Sequence, residues 1–229
     1  MTDPLEFVES PIKTLAIFDV CDTLYTENTT FGFIRYMMRG RKIFSMFDAT
    51  VTSRLSPVFV AFAILKKMTG NDYVRNIYLS YLSGIKRSKL DLAADAYVEE
   101  VLEPLAINWT QAKLKEALSK GQTVYLASSS IDCVVKAIAR RTGAQFFSSN
   151  LEDVGETCRG KLAYDMTGKK MNAIADLPNL NLGFTRIRVF TDNFTDIELV
   201  KTADEATIIL PGSRGRKKWT GCDVDFVNV

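Results

Sequence analysis

The chain has 229 residues, 47% of them hydrophobic and 24% charged, enough apolar material to bury one large domain or a domain carrying a smaller insert. A formal net charge of +2 leaves no electrostatic footprint for nucleic acid and argues against a strongly acidic partner. There is no histidine, which removes Ser-His-Asp and Cys-His mechanisms and every imidazole metal site together. Any metal has to be held by oxygen, which favours a hard ion such as Mg2+.

Asp3 and Glu6 stand where a secretory leader carries bases, and no apolar segment follows, so no signal peptide is expected. The longest apolar run, residues 55–65, is broken by Ser56 and Pro57 and falls short of the roughly 20 residues of a membrane span. Peripheral contact with lipid stays open, without support in the sequence. Cys21, Cys133, Cys158 and Cys222 are scattered without C-x-x-C spacing. They form neither a zinc signature nor a disulfide framework, and a reducing cytoplasm is the expected location.

In chain order, Leu15-Ala16-Ile17-Phe18 reads as a buried parallel strand, which is typically a continuous apolar run, and it leads directly into Asp19, Asp22 and Thr23. Ligands in open α/β sheets sit beyond the carboxyl ends of the strands, so Asp19 is expected to face a site. Helical period then holds for about eighty residues. Phe31, Ile34, Met37 and Met38 share one face of a first helix that Gly40 stops, and they read as core. Pro57 opens a helix carrying Phe59, Val60, Ala63, Ile64 and Met68, and Gly70-Asn71 marks a turn. Another helix groups Ile77, Tyr78, Tyr81 and Leu82 and ends at Gly84. Ser88 and Asp91 have capping-box spacing ahead of Leu90, Ala94, Tyr97, Val98 and Val101, and Pro104 closes that helix. Together these elements read as a small helical bundle inserted after the first strand.

Thr110 is the expected cap of a further helix with Leu114, Ala117 and Leu118 inward, and Gly121 its C′ residue. A second strand, residues 124–127, ends in Ser128-Ser129-Ser130. A helix with Ile131, Val134, Val135 and Ile138 on one face and a short strand at residues 145–147 follow, a βαβ rhythm that predicts a parallel sheet. Residues 150–169 are irregular and polar, and read as a hairpin on the sheet's edge. A short helix over residues 170–177 is stopped by Pro178. Residues 187–191 form a strand leading to Asp192-Asn193-Phe194-Thr195-Asp196 and a helix through Lys201; residues 206–210 form a last strand ending at Pro211.

Three apolar strands thus end in reactive oxygens: Asp19 with Asp22 and Thr23, Ser128, and Asp192 with Asp196. Lys170 opens a helix between the second and the third. Neighbouring parallel strands would bring these ends to one sheet edge, where Asp19 and Asp192 can share a divalent cation and Ser128 and Lys170 can hold a phosphate. Singly, such residues are turn-forming acids, helix-capping serines and a surface lysine. It is the four in this order that point to a site.

These motifs resemble the haloacid dehalogenase-like superfamily, within it the branch of phosphoserine phosphatase-like enzymes, over nearly the whole chain. Phe18-Asp19-Val20-Cys21-Asp22-Thr23-Leu24 resembles the first motif, Leu126-Ala127-Ser128-Ser129-Ser130 the second, Lys170 the third and Phe190-Thr191-Asp192-Asn193-Phe194-Thr195-Asp196 the fourth. Tyr81-Leu82-Ser83-Gly84 is similar to a turn in that branch's caps. The resemblance implies a Rossmann-like three-layer α/β core with a central parallel sheet over residues 1–25 and 108–229, and an inserted all-helical cap over 26–107. It implies a hydrolase of a small phosphorylated metabolite. Asp19 would be the nucleophile that becomes an aspartyl-phosphate, with Mg2+ bound by Asp19, the backbone carbonyl of Cys21 and Asp192, and Asp196 supporting. Ser128, Ser129, Asn193 and Lys170 would bind the phosphate. Lys169 is the alternative lysine; Lys170 is preferred because the apolar Ile174 lies one helical turn onward.

One position departs from that family's phosphatases. They carry an acid-base Asp two residues after the nucleophile, where this chain has Cys21. Such acid-base help is worth roughly 10²–10⁴ in rate, and a thiol with a pKa of about 8.5 can donate a proton but is a weak base while protonated. Asp22, one residue on, is expected to point elsewhere on a strand-like backbone. Three readings stay open: a phosphatase that is slow or favours good leaving groups, a dehalogenase- or phosphonatase-type reaction, or a phospho-ligand binding module without turnover. Substrate choice is expected to reside in the cap, within reach of Glu27, Asn28, Arg35 and Arg39. Asn28 stands where phosphoserine phosphatase has a Glu, which argues against a serine substrate. The basic run Arg214, Arg216, Lys217 and Lys218 reads as a solvated loop with Trp219 packed beneath it. Oligomeric state is not legible.

Overall fold

A computed structural model describes residues 13–53, 56–175, 184, 186–212 and 215–229. The first strand, β1 (Thr14–Phe18), is buried along its whole length. Alternate side chains serve opposite faces of a pleated strand. Leu15 and Ile17 join one apolar cluster while Ala16 and Phe18 join another, so both faces of the sheet are covered, as the continuous apolar run predicts.

Helices follow: α1 (Thr29–Met37), α2 (Lys42–Thr52), α3 (Pro57–Thr69), α4 (Tyr73–Ser80) and α5 (Arg87–Tyr97), which continues through a short π turn and a 3-10 turn to Leu105. Then come α6 (Asn108–Ser119), β2 (Thr123–Ile131), α7 (Asp132–Thr142), the antiparallel pair β3 (Gln145–Val154) and β4 (Thr157–Tyr164), and α8 (Lys170–Ala175). The chain closes with β5 (Arg186–Thr191), α9 (Ile197–Thr202), β6 (Glu205–Leu210) and β7 (Asp225–Asn228).

The sheet has seven strands in the order β4-β3-β2-β1-β5-β6-β7, parallel except for the β3–β4 hairpin at one edge. The parallel Rossmann-like core and the edge hairpin therefore agree with the sequence reading. β1 is the topological switch point, with β2 on one side and β5 on the other, and the crevice outside such a point is where ligands bind.

Several local expectations are corrected. The helix carrying Leu90 starts before Ser88: Lys86 bridges to Thr157 and Arg87 N donates to Glu156 O at 2.7 Å, so contact with the β3–β4 turn sets the start. Asp91 does not close a capping box but takes Lys136 Nζ at 3.3 Å. Thr110 is likewise not a cap. It is buried inside α6, whose start is set where Ile107 N donates to Leu24 O at 2.9 Å. Asp22 is not on a strand-like backbone: at φ 53° it sits in a left-handed turn, a conformation Asp tolerates better than most residues. Helix α2 and strand β7 were not anticipated, and β3 runs well beyond residue 147. In α3 only Phe59 and Phe62 turn partly inward, whereas Val60, Ile64 and Met68 are exposed. Leu177 and Pro178 lie outside the described residues, as does Arg214 of the basic run. Trp219 is buried as expected, and its ring packs against Phe194 with centroids 5.2 Å apart.

The helices between β1 and β2 are seated on the core along the β3–β4 hairpin. Gly160, at φ 70°, lets β4 approach α4: a Cβ there would lie 3.0 Å from Leu79 O and the Ser80 Cα. Gly84 N donates to Cys158 O at 2.9 Å across the same seam. No single helix among the described residues is long and apolar enough to cross a membrane.

Candidate active site

The register of the three central strands places the predicted groups at one sheet edge. Phe18 pairs with Leu126 of β2 and with Phe190 of β5. Asp19 and Asp192 therefore follow β1 and β5 at nearly the level of Ser128, which lies inside β2: that strand does not end at residue 127 but runs through the serines to Ile131, and the next helix starts at Asp132. Asp19 N donates to Phe190 O at 2.9 Å, carrying the ladder one residue beyond the strand and fixing where its carboxylate begins.

Lys170, the first residue of α8, reaches into this edge and is buried. Its Nζ donates to Asp19 Oδ1 at 2.7 Å and to Asp196 Oδ2 at 2.8 Å. Burial works against its ammonium, but the two carboxylates outweigh that cost and hold its pKa above the ordinary lysine value. Ile174, one turn on, is buried beneath the site, whereas Lys169 is exposed and stacks on Tyr164. Of the two candidate lysines it is thus Lys170 that meets Asp19. Thr191 Oγ1 also donates to Asp196 Oδ2, at 2.7 Å.

Asp192 lies near enough to Asp19 to feel its charge, and Thr23 Oγ1 donates to it at 3.3 Å. Burial, followed by the charge of Asp19, pushes its pKa up to about 8. Three carboxyl groups therefore share one ammonium, and a divalent cation would relieve this imbalance.

Among the described residues no group of three or more His, Cys, Asp or Glu gathers as a metal cage. Mg2+ commonly takes one or two carboxylates and completes its octahedron with water and substrate phosphate. The donors present fit such an ion: the Asp19 and Asp192 carboxylates and the backbone carbonyl of Cys21 are all hard oxygens. Asp196 is tied by Lys170 and Thr191, and it is suited to orient Lys170 beside such an ion.

Above this edge lies a cavity of about 240 Å3. The core lines it with Asp19, Cys21, Ser128, Ser129, Ser130, Thr167, Lys170 and Asn193, and the helical segment with Asn28, Thr30, Phe31, Lys66, Asp72 and Arg75. Ser128 is buried and accepts from Ser130 N at 3.2 Å, and Asn193 is exposed at the rim, its Oδ1 accepting from Thr195 N at 3.0 Å. Asn28 caps α1 by accepting from Phe31 N at 3.3 Å, a contact of about 1 kcal/mol. The other expected cap contacts point elsewhere: Arg35 pairs with Asp48 at 2.9 Å, Glu27 lies 3.9 Å from Arg35, and Arg39 pairs with Glu100.

Cys21 sits in a hydroxyl network. Its Sγ lies 3.2 Å from Ser130 Oγ and 3.4 Å from Thr29 Oγ1, while Thr29 Oγ1 donates to Ser130 Oγ at 2.5 Å. Burial, then the charge of Asp19, raises its pKa, so the group beside Asp19 is a neutral thiol. Asp22 is exposed, and it too is pushed up by partial burial and by Asp19.

Arg75 was not anticipated. From α4 it donates to Ser129 O at 2.5 Å, to Ser149 Oγ at 3.2 Å and to Asp165 at 2.9 and 3.0 Å, which ties the helical segment to the strand that carries Ser128. An isolated Arg on an amphipathic helix carries no local signal, and all these partners lie at least 54 residues away in sequence.

The model of the family described as haloacid dehalogenase-like hydrolase matches residues 16–201. The chain belongs to the haloacid dehalogenase-like hydrolases. No curated protein matches it. Solved structures of similar fold include a protein of unknown function from Bordetella pertussis Tohama I, at 15% identity and TM-score 0.67, covering 93% of this chain and 98% of that one. A phosphoserine phosphatase in apo form aligns at 16% identity and TM-score 0.56, covering 93% of both chains. Cytosolic 5'-nucleotidase IIIB bound to cytidine aligns at 13% identity and TM-score 0.64, covering 95% of this chain and 81% of that one. At these identities the likeness is one of fold. Within the haloacid dehalogenase-like hydrolases it joins the parallel core to the helices that follow the first strand.

Proposed function

We propose that the protein is a phosphohydrolase of small phosphorylated metabolites, with Asp19 as nucleophile and residues 26–107 as the cap over its site. The observation that carries this reading is the buried contact of Asp19 with Lys170 at 2.7 Å, on the floor of a cavity whose wall includes Ser128. An anionic side chain can approach an anionic ester only where cations neutralise both, and Lys170 supplies one such charge. A bound Mg2+ held by Asp19, Asp192 and the Cys21 carbonyl would supply the other as a Lewis acid.

An Asp19 carboxylate oxygen attacks phosphorus, the bond to the leaving oxygen breaks, and an aspartyl-phosphate forms. Water then releases inorganic phosphate and restores Asp19. Ser128 Oγ and Lys170 Nζ hold the phosphoryl oxygens through both steps, with Ser129 and Asn193 at the cavity edge. The small cavity, walled on its helical side by Phe31, Asp72 and Arg75, favours a compact substrate. A neutral thiol at Cys21 does not repel the dianion, yet it is a poor base for the attacking water. Slow turnover, or a preference for acidic leaving groups, follows.

The test is turnover of an aryl phosphate with Mg2+ by wild type, Asp19→Asn and Cys21→Asp. Asp19→Asn is expected to abolish turnover and Cys21→Asp to raise it by roughly 10²–10⁴. Turnover that survives Asp19→Asn overturns the reading; ligand binding without any turnover in the wild type favours a non-catalytic module, and halide release from a haloacid a dehalogenase.

A further inference from the structure

Helix α3 is a regular 13-residue helix, capped by Ser56 at one end and by left-handed Gly70 at the other, yet none of its residues is buried. Its sequence is almost wholly apolar up to Lys66 and Lys67. Ile64 is 53% and Met68 77% exposed, and on the neighbouring α2 Ile43 is 81% and Met46 73% exposed. Two adjacent helices thus turn large aliphatic side chains outward, a pattern that on a soluble surface marks an interaction site.

The charges on and beside this face are mainly cationic. Along α2, α3 and their flanks Arg39, Arg41, Lys42, Lys66 and Lys67 stand against Asp48; Glu100 takes Arg39 and Asp72 takes Lys66 from outside, which leaves Arg41, Lys42 and Lys67 as the exposed excess of cations. Asp48 is turned inward, where its carboxylate accepts from Arg35 Nε at 2.9 Å and from the Tyr78 hydroxyl. The outward face is left apolar with a cationic rim.

We propose that the outer face of α2 and α3 docks on an anionic membrane surface, lying in the interface rather than crossing it. Helices with this pattern bury their apolar side at the boundary between headgroups and acyl chains, while Lys and Arg meet anionic lipid. Neither helix is long enough to span the roughly 30 Å of hydrocarbon, and their axes turn through 67° at the break between them. A second copy of this chain is the weaker occupant, because a two-fold contact would bring the same cations together. Lys66 belongs both to α3 and to the cavity lining, so docking would hold the cavity mouth beside the headgroup layer. The inference rests on the surface alone and holds whatever reaction the site performs.

Flotation of the full chain with vesicles tests it, using phosphatidylcholine alone and phosphatidylcholine mixed with phosphatidylglycerol in equal parts. Wild type is expected to float with the mixed vesicles, to float far less with phosphatidylcholine alone, and to be released by salt. Ile64→Glu/Met68→Glu is expected to weaken partition at least about tenfold, with an unchanged circular dichroism melt showing that it folds. Lys67→Glu is expected to weaken it severalfold on the mixed vesicles only. Absence of flotation on the mixed vesicles, equal flotation on both compositions, or equal flotation of wild type and the double variant overturns the proposal. So does a dimer mass in lipid-free solution that the double variant reduces to that of a monomer, which would assign the face to a second copy.

Discussion

The strand-end site and the α2–α3 pair are the two extremes of packing in this molecule. At the site Asp19, Lys170 and Asp196 are nearly excluded from solvent and each is tied to another. Along α3 no side chain is buried, and what holds the helix is a cap, a proline at its first turn and the two phenylalanines that turn partly inward. The contrast separates two tasks. Positions that need tenths of an ångström are hung from parallel strands covered on both faces, whereas the helices that complete the cavity wall are tied down along one seam. Arg75 and Gly160 make that seam, between α4 and the hairpin behind the site.

Breaking the tightly packed extreme should have the larger effect. Lys170→Met removes the cation shared by Asp19 and Asp196 and leaves buried carboxylates facing one another. Turnover should be lost, and urea denaturation without added metal should show a loss of about 3–5 kcal/mol, the usual consequence of deleting one partner of a buried pair. A variant as stable and as active as wild type would show that the contact is incidental.

Cutting the seam should cost less and act differently. Arg75→Met removes charge-assisted hydrogen bonds to Ser129 O and Asp165, worth about 2 kcal/mol in denaturation. Since Arg75 is outside the Asp19 contact network, KM for an aryl phosphate should rise more than kcat falls. Equal losses in both would mean that the helical segment does more than cover the site.

The smallest expected effect is a slope with pH. In the metal-free protein the folded Asp192 keeps its proton at pH values where an unfolded carboxyl near 3.8 has lost it. The folded state then binds more protons, so stability should fall as pH rises from about 4 towards 8. Mg2+ should flatten that slope by replacing the proton. Melting curves across this range with chelator and with Mg2+ check it; identical slopes would count against a shared ion.

The legible parts of the fold were those where burial imposes a period. The run through Phe18, the βαβ rhythm up to Phe147 and the strand ending at Thr191 all appear as expected, because a strand buried on both faces has little freedom in composition. Asp19, Ser128 and Lys170 line one cavity at this edge, and Asp192 lies beside Asp19. Helix starts at Arg87 and Asn108 were misread because distant contacts with Glu156 and Leu24, rather than local caps, set them. Apolar spacing in α3 suggests an inward face, but spacing alone does not say what covers it, and the helix buries none of its residues. Arg75 was invisible for a related reason, since its partners are defined only once the hairpin and the helices meet.

The central claim, that Asp19 takes the phosphoryl group, is tested most directly by acid-quenched mass spectrometry after incubation with Mg2+ and an aryl phosphate. One hydroxylamine-labile phosphoryl group on the peptide containing Asp19, absent from Asp19→Asn, is the predicted result. A phosphoryl group on any other residue, or steady turnover by Asp19→Asn, would contradict it.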